Sequence, residues 1–282
     1  MHPIIFLNRS MVEASKARIA PVSSALLYGR GVYTTLAVYS GRPFRWQEHW
    51  PRLMDHADRA GVDRSGIQES TVATCLGKLI AVNHVEHGRA RIALLAARGR
   101  DVWIAKGASQ RKTDVLIMTG EPCKVPSNGL ALTISRYRVN TLSPLVGVKT
   151  TNRLDRVLSW EEAQQRDFHE ALMLNERGEI VSATMANVFW VKEGQVHTPS
   201  LATGAVAGTT RACVIRLARD LSIPVVEGVY ELPDLADADE VFLTSASLGV
   251  AMVTSFDFHQ YAVVVGSVGA RVQGTFHQLT LE

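Results

Sequence analysis

Val146-Gly-Val-Lys149-Thr-Thr-Asn-Arg-Leu154 is the stretch from which the rest of the chain is read. Val146 and Val148 form an apolar, strand-like approach, and beyond the lysine Leu154, Val157, Leu158 and Trp160 fall near helical spacing. Lys149 therefore stands at a strand-to-helix junction, where its neighbours anchor in a core and its side chain points into a cleft. Desolvation in such a place lowers an ammonium pKa, and a neutral amine forms a Schiff base with an aldehyde or ketone. Taken alone, the same stretch also describes an ordinary solvated lysine. The choice between the two rests on the surrounding chain.

Outward from that lysine toward the C-terminus, strands and helices alternate. A strand at Leu130–Ser135 precedes it, and a helix over Asn152–Arg166 is followed by a strand at Glu170–Asn175 that closes on the turn Asn175-Glu-Arg-Gly178. Ile180-Val181 and Asn187–Val191 read as strands separated by the small polar run Ser182-Ala-Thr-Met-Ala186. Gly208-Thr209-Thr210-Arg211 then opens a helix over Ala212–Asp220. A glycine and two hydroxyls at a helix N-terminus suit an anion, because free N–H groups and the helix dipole point outward there; they equally suit a plain threonine cap. Val241–Thr244 is a buried strand running into a second hydroxyl cluster, Ser245-Ala-Ser247.

Toward the N-terminus, Ile4–Leu7 reads as a strand, and Ser24–Tyr39 as one β-rich segment turning back at Ser40-Gly41. Gly29 and Gly31 bracket Arg30; with no third glycine and no following helix they indicate a close backbone contact rather than a dinucleotide site. Glu48–Ala60 is a helix whose Trp50, Leu53, Met54, Ala57 and Ala60 share a face, with Arg52 off that stripe, and a second helix spans Ile67–Val82. The cluster Asn83–His87 lacks helical zinc spacing and reads as a polar helix end. Strands at Ala90–Ala97 and Asp114–Thr119 flank a polar stretch holding Arg98, Trp103 and Lys106, a candidate substrate rim. Gly120-Glu-Pro122 and Pro126-Ser-Asn-Gly129 punctuate the chain densely, so a linker is placed at 119–129, between domains at 1–118 and 130–282.

With 282 residues, the chain is long enough for two modest domains. A net charge of +3 from 30 basic and 27 acidic residues, evenly scattered, gives no electrostatic footprint for nucleic acid. Cys75, Cys123 and Cys213 are odd in number and far apart, which argues against a disulfide framework or a zinc site and for the reducing cytoplasm. No apolar run is long enough for a signal peptide or membrane span, and no membrane partner is expected.

Taken together, these motifs resemble the fold-type IV enzymes that use pyridoxal phosphate, the class IV aminotransferase superfamily, over nearly the whole chain. Tyr28-Gly-Arg-Gly-Val-Tyr33-Thr-Thr35, Glu48-His-Trp-Pro-Arg52-Leu53 and Val148-Lys149-Thr-Thr-Asn152-Arg-Leu154 occur in that family's order. So do Glu170-Ala-Leu-Met-Leu-Asn175, Ala186-Asn187-Val-Phe189, Gly208-Thr-Thr-Arg211 and Glu240-Val-Phe-Leu-Thr-Ser245. The resemblance implies an α+β fold of two domains, an N-terminal α/β sandwich and a C-terminal barrel-like sheet with helices, in a homodimer. It implies that Lys149 carries pyridoxal 5'-phosphate, that Arg52, Thr209, Thr210 and Ser245 hold its phosphate, and that Tyr33 sits beside the lysine. Tyr28, Arg98 and Trp103 are the candidate substrate contacts.

Within the superfamily, Asn152-Arg-Leu-Asp155-Arg-Val-Leu158 and Phe189-Trp190 with Val196-His-Thr-Pro199 look most like aminodeoxychorismate lyases, which eliminate pyruvate from an amino-chorismate to leave 4-aminobenzoate. D-amino-acid aminotransferases of the family bind a carboxylate with an arginine and a histidine just past the Arg98-Gly99 pair, where this chain has Trp103 and Ala105. Branched-chain aminotransferases, with a mostly apolar pocket, stay open, as does a cofactor-binding relative that has lost the chemistry. Two departures stand out. Ser182 occupies the place of the family's ring-nitrogen glutamate, and a hydroxyl cannot supply the negative charge that holds a pyridinium, which tilts the reading toward elimination. Arg30 stands where the family usually has aspartate, and the sequence supplies no reason for it.

Overall fold

The computed structural model describes residues 1–98 and 112–281. They form two compact units, Met1–Cys123 with Val148–Asn152, and Lys124–Gly147 with Arg153–Glu282. The division at Cys123 falls within the stretch read as a linker. The Lys149 segment, however, groups with the N-terminal unit, whereas the sequence reading placed it in the C-terminal domain. The cause is backbone pairing: Val32 and Thr150 form an antiparallel bridge, and Thr151 N–H donates to Gly31 O at 2.9 Å.

The first unit contains β1 (Ile4–Leu7), β2 (Ser10–Glu13), α1 (Ser24–Tyr28), β3 (Gly31–Tyr39), β4 (Arg42–Pro43), α2 (Trp46–Arg59), α3 (Glu69–Val82), β5 (Gly88–Arg98) and β6 (Lys112–Gly120). Its sheet runs β2-β1-β6-β5-β3-β4, antiparallel throughout. Leu53 and Ala57 of α2, Leu76 and Leu79 of α3, and Leu36, Ile92 and Ile117 of the sheet share one core and are fully buried; each such leucine or isoleucine contributes roughly 1.5–3 kcal/mol. Ser40 and Gly41 both have positive φ, 48° and 71°, as a two-residue hairpin turn requires.

Two of the differences from expectation have a local cause. Residues 24–28 are helical rather than extended, because Ser23 caps the Leu26 N–H at 3.2 Å and Gly29, at φ 62°, ends the turn. Helix α2 begins at Trp46, two residues early, which leaves Pro51 inside it; Trp46 and Trp50, one turn apart, stack at 5.5 Å and offset the lost donor.

The second unit contains β7 (Leu130–Val139), α4 (Leu154–Gln165), β8 (Glu170–Asn175), β9 (Ile180–Ala183), β10 (Asn187–Lys192), β11 (Gln195–Pro199), α5 (Thr209–Asp220), β12 (Val225–Gly228), α6 (Leu232–Ala236), β13 (Glu240–Ser245), β14 (Gly249–Phe256), β15 (His259–Gln260) and α7 (Val268–Leu279). The sheet order is β12-β11-β10-β13-β14-β7-β8-β9, with β15 on β14. Strand β9 ends that path yet packs against β10 and β11, so the sheet curls round Leu132, Leu172, Ile180, Val188, Trp190 and Leu243. Among the described residues no helix is long and apolar enough to cross a membrane.

Candidate active site

Lys149 is held by its backbone on both sides. Its carbonyl accepts from Tyr33 N–H at 3.0 Å, and its own N–H donates to His56 Nδ1 at 3.3 Å. The side chain is half-buried, with Nζ 4.9 Å from the centre of the Tyr33 ring; Arg91 lies over the same ring at 3.7 Å. The close backbone approach expected at Gly29 and Gly31 is made by this segment. A Cβ on Gly29 would meet Asn152 Cβ at 2.9 Å, and one on Gly31 would meet Thr151 Oγ1 at 2.9 Å. Arg30, unexplained by the sequence, donates to the carbonyl of Gly61 just past α2.

Arg52 is tied into the same unit through Thr34, the neighbour of Tyr33. Its Nη2 donates to Thr34 Oγ1 at 3.0 Å, and Thr34 Oγ1 lies 2.7 Å from His49 Nδ1. An arginine only donates, so Thr34 Oγ1 accepts from Arg52, and the direction of its bond with His49 Nδ1 follows the imidazole tautomer. Burial lowers the His49 pKa to about 3, with Arg52, Lys149 and Arg45 adding to it; burial first, then Arg52, Arg59 and Lys149, lower His56 to about 4. Both imidazoles are thus neutral near pH 7, and burial brings Arg52 itself down to about 10. The sequence reading missed both histidines. The signal was present in the spacing of His49, Arg52 and His56 at i, i+3 and i+7, which puts three polar groups on one stripe of α2.

In the second unit Thr209 and Thr210, both buried, begin α5, whose N-cap Gly208 has no side-chain cap. A Cβ on Gly208 would fall 2.2 Å from Asn187 Oδ1; Asn187 in turn pairs with Thr244 across β10 and β13. Thr244 Oγ1 is buried and has no hydrogen-bond partner among the described residues. Ser245, at the end of β13, accepts from Leu248 N–H at 3.1 Å. A helix N-terminus with no side-chain cap, two threonine hydroxyls and the buried Thr244 hydroxyl are groups of the kind that donate to a phosphate.

Ser182 is buried on β9 opposite Met173. Arg156 Nη1 donates to Ser182 Oγ at 3.2 Å and to the carbonyls of Ala183 and Thr184 at 3.2 and 3.3 Å, while Arg153 Nη2 also reaches Thr184 O at 3.2 Å. From the other side the Glu170 carboxylate accepts from Thr184 N–H at 3.2 Å and Met185 N–H at 3.0 Å. Burial pushes the Glu170 carboxyl up, and these hydrogen bonds oppose it. Arg156 and Glu170, quoted only as parts of motifs in the sequence reading, are the clamps of the 182–185 turn.

Of the remaining candidates, Tyr28 is exposed on α1. Arg98 ends β5, paired with Lys112. Trp103 lies outside the described residues. The structure thus gathers Lys149, Tyr33 and Arg52 in the first unit, and in the second it gathers the α5 N-terminus with the end of β13.

The comparisons with known proteins identify the family. The family described as Amino-transferase class IV matches residues 31–256, and the chain belongs to it; it is a pyridoxal-phosphate-dependent enzyme. It is 31% identical over 256 residues to a Methanocaldococcus jannaschii protein assigned as a branched-chain-amino-acid aminotransferase, covering 90% of this chain and 88% of that one. It is 28% identical over 274 residues to the aminodeoxychorismate lyase of Bacillus subtilis, covering 96% and 92%. The solved branched-chain amino acid aminotransferase of Escherichia coli matches with a TM-score of 0.90 at 27% identity, covering 99% of this chain and 95% of that one.

Proposed function

We propose that the protein is a pyruvate-eliminating lyase that converts 4-amino-4-deoxychorismate to 4-aminobenzoate, with Lys149 as the cofactor lysine. The observation that carries the choice is Ser182, a buried hydroxyl held by Arg156 where an aminotransferase of this family needs a carboxylate. Bound pyridoxal phosphate supplies an aldehyde for the lysine amine and a ring that spreads the electron pair left on a substrate carbon. The chain's own groups do the rest. Lys149 Nζ carries the substrate proton, with its position fixed through the Tyr33 backbone and ring. Arg52, Thr209, Thr210 and Ser245 bind the phosphate, and Tyr28, Arg98 and Trp103 contact substrate. With a hydroxyl in place of a carboxylate at position 182, a bound ring would be a weaker electron sink, whereas elimination that ends in an aromatic ring has its own driving force.

The working form in this reading is a cytoplasmic homodimer, and the exposed Leu154, Val157 and Trp160 along α4 are the apolar face it would cover. Similarity to the branched-chain enzymes favours a second reading, transfer of an amino group between an amino acid and a 2-oxo acid. Incubation of the holoenzyme with aminodeoxychorismate, following 4-aminobenzoate and pyruvate, tests the choice against a panel of amino acids and 2-oxo acids. Release of 4-aminobenzoate supports the lyase. Brisk amino transfer without it replaces the lyase by the aminotransferase, and cofactor binding with neither reaction indicates a relative that has lost its chemistry.

A further inference from the structure

The 182–185 turn is held between charges of opposite sign from two elements. Helix α4 brings Arg153 and Arg156 to its carbonyls and to the Ser182 hydroxyl, and β8 brings Glu170 to its N–H groups. The Glu170 carboxylate is occupied by Ala171, Thr184 and Met185 donors. The charged group bonded directly to Ser182 is a cation. A guanidinium donates and never accepts, so Ser182 Oγ accepts from Arg156 and keeps its own proton to donate. What a hydroxyl in that state meets best is a lone pair.

We propose that Arg156 is a positioning residue that sets the protonation of the cofactor ring: through Ser182 it presents a hydroxyl proton to the ring nitrogen, and pyridoxal phosphate is bound with that nitrogen unprotonated. This rests on the reading above that position 182 is the ring-nitrogen contact, and it adds to that reading the group that enforces it. The missing carboxylate is then half of the device. The other half is a positive charge in its place, which disfavours a second positive charge on the ring. A comparable arrangement occurs elsewhere within one unit, where Arg52 donates to Thr34 Oγ1 and that oxygen lies 2.7 Å from the aromatic Nδ1 of His49. That imidazole is buried beside arginine and held in its neutral form.

The test is the nitrogen-15 chemical shift of holoenzyme loaded with ring-labelled pyridoxal phosphate, followed across the neutral pH range. Wild type should show a pyridine-like shift throughout, and Ser182→Glu a pyridinium-like one. Arg156→Gln should raise the apparent ring pKa by at least about one unit, tenfold in the protonation constant, whereas Arg156→Lys, which keeps the charge, should stay close to wild type. A pyridinium-like shift in wild type overturns the proposal. So does an equal shift in Arg156→Gln and Arg156→Lys, which would make the arginine a scaffold for the turn only. Failure of wild type to bind the labelled cofactor at all would instead overturn the cofactor-site reading, and this proposal with it.

Discussion

The N–H of Tyr33 donates to the carbonyl of Lys149 at 3.0 Å while the Lys149 amine lies 4.9 Å from the centre of the Tyr33 ring. One residue of β3 thus fixes both the backbone and the side chain of the candidate cofactor lysine. Arg91 stacks over the same ring at 3.7 Å, so two basic side chains lie against one aromatic ring. Tyr33→Leu should therefore destabilise the protein by about 1–2 kcal/mol, the range of a partly desolvated cation–π contact. Tyr33→Phe, which keeps the face, should unfold in urea close to wild type.

Arg52 is partly buried on α2, bonded to Thr34, and charged at neutral pH even with its pKa brought down to about 10 by burial. If it binds the cofactor phosphate, Arg52→Gln removes charge-assisted hydrogen bonds worth about 1.5–3 kcal/mol. The dissociation constant of pyridoxal phosphate, read by spectroscopic titration, should rise at least tenfold. An unchanged constant would remove Arg52 from the phosphate site.

Acid should weaken the fold through two buried neutral histidines. The pKa values of His49 and His56 lie at about 3 and about 4 in the folded chain, below the ordinary value near 6.5. The unfolded chain therefore binds more protons between these limits. The stability from neutral burial is fully present above pH ~6.5 and is lost as pH falls toward the folded values. From about pH 7 to pH 5 each histidine should cost about 2 kcal/mol. Urea denaturation of His49→Gln should show a loss over that interval smaller by this amount.

At Gly208 there is no room for a side chain, although its φ of −69° is ordinary. A Cβ there would lie 2.2 Å from Asn187 Oδ1 and 3.2 Å from Arg211 Cβ. Gly208→Ala should thus displace Asn187, whose Nδ2 donates to Val206 O at 3.0 Å, or move the start of α5. We expect a loss of about 1–3 kcal/mol by thermal unfolding, with weaker phosphate binding in the same variant because the helix N–H groups are re-aimed. Full retention of cofactor affinity would place the phosphate elsewhere.

By itself the sequence determined most strands and helices, because period-2 and period-3.6 apolar patterns report burial on one face and need no knowledge of the partner. It also determined the family and cofactor, through ordered motifs centred on Lys149. It misjudged residues 24–28, where local caps overrode β-rich composition, and the start of α2, where Trp46 extends by one turn the stripe that begins at Trp50. Three things were decided only by tertiary structure. The Lys149 segment joins the N-terminal unit because its backbone hydrogen bonds find partners in β3 rather than near it in sequence. Arg30 serves the carbonyl of Gly61, 31 residues away. Ser182 reads in sequence as a missing charge, and in three dimensions as a hydroxyl bonded to Arg156 from a helix 26 residues earlier. A periodicity shows which face of an element is buried. It carries no information about which donor, from which distant element, meets a given acceptor, and the chemistry of this site depends on those pairings.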